Sequence, residues 1–193
     1  MLSVDKTNRS RRSGIDKAMA YAISLKCPND TATPVLDLWR EASHFETAPS
    51  MQALNYPPHL TLAIYGDITP ERPLEVVRKV FRDTPSISVE FSGIHDFPNE
   101  TLVLWARPVD DSALRRMHQA IHREIDPMLC HEHYRPSHWQ PHCTIAMNIP
   151  KEAAAAALRW AAETTAQFTV TFDAVDCLKF PPVEIIEEVK LWP

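Results

Sequence analysis

Two short segments of this 193-residue chain carry the same pair of reactive side chains at the same spacing, His59-Leu60-Thr61 and His142-Cys143-Thr144. Side chains two apart on a strand point to one face, so each segment would present an imidazole beside a hydroxyl, with Leu60 and Cys143 turned into the core. Together the segments supply two imidazoles and two hydroxyls, a set suited to a phosphodiester. In-line displacement at phosphorus needs a base for the incoming oxygen and an acid for the leaving one. Histidine can do either near neutral pH. The threonine hydroxyls can donate to the non-bridging oxygens where charge builds up. Which histidine is acid and which base cannot be read from the motifs.

The elements that would position these residues form one plan used twice. Ala20–Leu25 reads as a strand, followed by a helical stretch from Pro34 to Phe45. His59–Ile64 is an alternating strand, a helix opens at Thr69-Pro70-Glu71 with Leu74, Val77, Val80 and Phe81 on one face, and Ile87–Phe91 alternates again. Thr101–Trp105, a helix over Asp110–Ile125, a strand over His142–Met147, an alanine-rich helix from Pro150 and a strand over Phe168–Phe172 repeat the order. Val183–Leu191 adds a final strand. The H-x-T segments correspond at an offset of 83 residues, and Ser88–Phe91 matches Thr169–Phe172 at an offset of 81. An α+β domain with two pseudo-symmetric lobes follows, its equivalent strands facing each other across a cleft and its helices outside. Residues 18–193 form this domain, and the basic segment 1–17 reads as a disordered leader.

These paired motifs, each with an apolar residue between His and Thr and an apolar run behind, resemble the two-histidine phosphoesterase superfamily, whose bacterial branch is labelled RNA 2′,3′-cyclic phosphodiesterase or 2′-5′ RNA ligase. The resemblance implies a bilobal fold with two antiparallel sheets, His59 and His142 as the acid–base pair, and Thr61 and Thr144 as phosphate binders. It implies hydrolysis of a 2′,3′-cyclic phosphate on an RNA end or nucleotide to a 2′-phosphomonoester, without metal or cofactor. Relatives also join or cleave 2′-5′ linkages. A binding module that holds a nucleotide or RNA end in the same cleft without turnover is the alternative of another class.

Composition narrows the field further. Only Gly14, Gly66 and Gly93 are glycines, so neither dinucleotide nor P-loop fingerprints can be written. A net charge of −5 disfavours a protein that coats duplex DNA. No apolar run is long enough to span a membrane, and a cytoplasmic monomer with four reduced, buried cysteines is expected. Tyr56 and Trp139, each three residues before a motif histidine, are candidates for stacking on a base or for packing their turns. Phe97 and Trp105 are further stacking candidates, and Arg107 a candidate phosphate contact. A metal site at His118, His122 and Cys130–His133 is a weaker third reading. Met19, Met117 and Met147 read as core filler.

Overall fold

In a computed structural model that describes residues 19–193, the chain forms two four-stranded antiparallel sheets with helices packed on them. The first half supplies β1 (Ala20–Lys26), α1 (Thr33–Ala42), the one-turn α2 (Ser50–Ala53), β2 (His59–Tyr65), α3 (Glu71–Phe81) and the long β3 (Ile87–Pro98). The second supplies β4 (Leu102–Pro108), α4 (Ser112–Glu124), β5 (Cys143–Ile149), α5 (Lys151–Glu163), β6 (Gln167–Phe172), β7 (Ala174–Phe180) and β8 (Glu184–Lys190). One sheet has the order β2-β1-β7-β8, the other β5-β4-β3-β6. The expected bilobal α+β architecture is therefore present. The postulated leader lies outside the described residues.

The register shows how the halves are related. In the β3–β6 ladder Ser88 faces Thr171, Val89 faces Val170 and Glu90 faces Thr169. The 81-residue offset turns Ser88 into Thr169 and Glu90 into Thr171, so the ladder maps onto itself with the Val89–Val170 pair on a pseudo-twofold axis. These two equivalent strands are hydrogen-bonded neighbours at the axis. The cleft strands are β2 and β5, the outer strands of their sheets.

Beyond the axis each half sends its last strand into the other half's sheet. β3 passes a bulge at Gly93, where φ is +77°, and continues to pair with β4. A left-handed residue at a bulge is a position that glycine fills without strain. β6 breaks at Asp173 and continues as β7, which pairs with β1. Strand β7 was not legible as a strand: Asp176 and Lys179 interrupt its apolar run, and its first five residues are buried on both faces, so no alternation marks it. The 81-residue offset applied to Gly93–Pro98 would have found it.

The helices are exchanged in the same way. α1 packs on β5 of the other half and α4 on β2, while α3 and α5 cover the sheet centres. The main core runs through both halves, including Ile23, Leu60, Phe81, Leu104, Ile121 and Phe172. All four cysteines are buried free thiols. Met117 is buried as expected, but Met19 is 54% exposed because it precedes the first strand, and half-buried Met147 lines the cleft. Among the described residues no helix is long and apolar enough to cross a membrane.

Candidate active site

His59 opens β2 and His142 stands one residue before β5, and the two are held alike. The Nδ1–H of His59 donates to the Pro57 carbonyl at 2.9 Å, and the Nδ1–H of His142 donates to the Gln140 carbonyl at 2.7 Å. In both cases the acceptor lies two residues back, at the turn that precedes the strand. A ring anchored through Nδ1 leaves Nε2 to meet a substrate. Burial lowers the pKa of His59 to about 4, partly opposed by the Pro57 carbonyl and helped by repulsion from His142. Burial likewise lowers that of His142, opposed by the Gln140 carbonyl. The two imidazoles thus share one electrostatic environment.

Thr61 and Thr144 lie two residues along, on the same face as their histidines and half-buried, while Leu60 and Cys143 are buried beneath. The hydroxyls of Thr61 and Ser24 are 3.3 Å apart across the β1–β2 ladder. The corresponding neighbour of Thr144 on β4 is Trp105.

Outer strands carry unpaired backbone groups, and here the opposite half satisfies several of them. Trp39 Nε1–H, from α1, donates to the Thr144 carbonyl at 2.9 Å, and Trp139 Nε1–H donates to the Thr61 carbonyl at 3.1 Å. Each half's tryptophan therefore fastens the other half's threonine. The Met147 amide donates to Glu46 Oε1 at 2.7 Å, and His131 N–H to the Ile64 carbonyl at 2.7 Å. Sequence reasoning missed Trp39, which lies within the helical stretch from Pro34 to Phe45.

Tyr56 and Trp139, the two stacking candidates, are buried, at 6% and 4% exposure. Tyr56 meets the His59 ring edge-on at 4.9 Å and donates its hydroxyl to Asp176 Oδ2 at 2.9 Å. Asp176 is in turn paired with Lys26 Nζ at 2.7 Å, and Lys26 also binds Glu188. The face of Trp139 is covered by His118, stacked at 4.1 Å and 2°. His118 and His122 both point Nε2 at the Tyr134 carbonyl, at 2.8 and 3.1 Å, and so tie down the loop from Cys130 to Pro141. Among the described residues no cluster of three or more His, Cys, Asp or Glu is placed to hold a metal ion.

One half-exposed aromatic ring at the site is Phe97. It stacks on buried Trp105 at 4.8 Å and meets the His142 ring edge-on at 5.1 Å and 84°. Beside it opens a cavity of about 360 Å³ that includes His142, Thr144, Asn99, Tyr134 and His138. Tyr134, which sequence reasoning passed over, bridges the motifs: it lines the His142 cavity while its phenol neighbours Thr61. Burial raises that phenol to about 12, with the Thr61 side chain opposing. Arg107 is exposed at the end of β4.

The model of the 2′-5′ RNA ligase superfamily matches residues 29–181. No curated protein matches. Among solved structures, TT0787 of Thermus thermophilus superposes with a TM-score of 0.61 at 16% identity, covering 89% of this chain and 97% of its own. E. coli LigT complexed with 3′-AMP gives a TM-score of 0.58 at 12% identity over 92% of this chain and 100% of its own. Kluyveromyces marxianus Usb1 with uridine monophosphate gives 0.53 at 9% identity over 91% and 99%. The structural likenesses show the same fold. The family match spans most of the chain and includes both H-x-T strands: the chain belongs to the 2′-5′ RNA ligase superfamily.

Proposed function

We propose that this protein is a metal-independent phosphodiesterase that opens 2′,3′-cyclic phosphates, on RNA ends or free nucleotides, to a 2′-phosphomonoester. The observation that carries the reading is the matched anchoring of His59 and His142 through Nδ1, with a threonine hydroxyl beside each on facing strands. One imidazole takes the proton of the attacking water while the other donates to the leaving ribose oxygen. Thr61 and Thr144 donate to the non-bridging oxygens as their charge grows. Two acid–base groups and these donors are sufficient for the step. The cavity beside His142 and the Phe97 ring offer room and a stacking surface for a nucleoside. The nucleotides named with LigT and Usb1 agree with a substrate of that kind.

The test is turnover of a 2′,3′-cyclic nucleotide in the presence of a chelator, with the product identified by chromatography. The 2′-phosphate should accumulate with the intact protein and be lost with His59→Ala or His142→Ala, each by about 10²–10⁴-fold. Tight nucleotide binding without product, unchanged in both variants, would instead establish a binding module.

A further inference from the structure

Each motif histidine meets an aromatic ring edge-on in addition to its Nδ1–H anchor, and the two rings are held by different means. Phe97 lies against His142 and is itself stacked on Trp105. Tyr56 lies against His59 at 4.9 Å and is held by a charged group. Its hydroxyl donates to Asp176 Oδ2 at 2.9 Å, the same oxygen meets Lys26 Nζ at 2.7 Å, and Lys26 reaches on to Glu188. Lys26 Nζ also stands 5.8 Å from the centre of the Tyr56 ring.

The register puts this network on the face that carries the motif. Lys26 faces His59 across the β1–β2 ladder and Ser24 faces Thr61, while Asp176 faces Ser24 on one side and Glu188 on the other. Directly opposed residues of a ladder point to one side of the sheet. Lys26 and Asp176 are both buried. Taking such charges out of water is costly, and apolar side chains of similar volume often serve stability as well or better. The other half of the molecule shows that the fold does without them. There the 81-residue offset and the ladders put Trp105 where Ser24 stands, exposed Arg107 in place of Lys26, and His95 in place of Asp176. The sheet itself therefore does not call for the buried pair. What the pair touches is Tyr56, and Tyr56 bears on His59 twice. Its ring bounds the imidazole, and it opens the Tyr56-Pro57-Pro58-His59 turn whose Pro57 carbonyl accepts the Nδ1–H.

Building on the phosphodiesterase reading above, we propose that Tyr56 and Asp176 are positioning residues for His59. The Lys26–Asp176 pair fixes the Tyr56 hydroxyl, and Tyr56 holds the imidazole in the one orientation and tautomer that presents Nε2 to the substrate.

The ring-nitrogen NMR resonances of His59 test this without any turnover. At neutral pH the intact protein should show a single tautomer with the proton on Nδ1. Tyr56→Phe keeps the aromatic ring and cuts it loose from Asp176. In this variant the His59 resonances should move toward an average of the two tautomers, while those of His142 stay in place. With a 2′,3′-cyclic nucleotide, kcat should fall by about 10–100-fold and KM should change by less than about threefold. A double variant, Lys26→Met with Asp176→Leu, replaces the ion pair by apolar groups. Its urea midpoint should hold or rise, yet its His59 resonances and kcat should change as in Tyr56→Phe. Unmoved His59 resonances and an unchanged kcat in Tyr56→Phe overturn the assignment, whatever the double variant does. A kcat that falls in the double variant only in step with its urea midpoint, with the resonances unmoved, overturns it as well. Failure of the intact protein on the cyclic nucleotide would remove the phosphodiesterase reading, and the ring resonances would still decide the positioning of His59.

Discussion

At the scale of single residues, the proposed chemistry rests on two imidazoles whose pKa values burial has pushed the same way. A lowered pKa means that each ring sheds its proton at a lower pH than a free histidine, near 6.5. For the free enzyme, kcat/KM should therefore rise as the imidazole acting as base loses its proton and fall as the one acting as acid loses its own, both below the ordinary 6.5 and near pH 4 for His59. A bell with its maximum on the acid side of neutrality is the expected result of a pH series. A flat profile from about pH 5 to 9 would contradict it. The threonines make a separate test. Replacing one donor to the developing charge costs about 10²–10³-fold in kcat in comparable sites. Thr61→Val and Thr144→Val should each fall in that range, measured at saturating substrate, with the fold intact.

At the scale of elements, the site depends on two outer strands held by side chains from the far half of the chain. Trp39 and Trp139 are each about 4% exposed, and each donates to a threonine carbonyl of the opposite motif. Trp39→Phe keeps most of the packing and removes only the N–H, leaving the Thr144 carbonyl short of a donor at a cost of about 1–3 kcal/mol. The urea midpoint should drop accordingly and kcat should fall more than KM rises, because β5 carries Thr144 and His142 immediately precedes it. Unchanged stability and kcat in Trp39→Phe and Trp139→Phe alike would show that these bonds hold nothing. The period-2 alternation around His59 and His142 made both motif strands, and the side each residue faces, readable in advance. The tryptophan links were not readable, since nothing local marks which indole meets a carbonyl in the distant half of the chain. Strand β7 escaped for a related reason: a central strand buried on both faces has no alternation to detect.

At the scale of the whole molecule, duplication explains both what was legible and what was not. The offsets of 81 and 83 residues located the equivalent elements, and the β3–β6 ladder centred on Val89 and Val170 confirms the 81-residue correspondence. They did not reveal the exchange of strands and helices between halves, because an offset is blind to which copy pairs with which. That exchange makes the loop from Cys130 to Pro141 part of the common core through His118. This ring is about 2% exposed, and burial brings its pKa down to about 4 despite its bond to the Tyr134 carbonyl. The folded protein thus needs it neutral, whereas the unfolded chain takes up a proton near pH 6.5. Its contribution to stability should be complete above about pH 6.5 and diminish as pH falls toward 4, by up to about 3 kcal/mol. Denaturant unfolding at several pH values should show this slope. His118→Gln should flatten it in part, leaving what His59, His122 and His142 supply; an unaltered slope would place the titration elsewhere.

The central claim is that His59 and His142 act together on one phosphorus, and a double-mutant cycle on a 2′,3′-cyclic nucleotide, run with a chelator, tests it most directly. Each alanine variant should lose about 10²–10⁴-fold, and the double variant should be no more than about tenfold below the slower single one, since removing either partner already disables the concerted step. Full activity in either single variant, or losses that multiply in the double variant, would contradict the account.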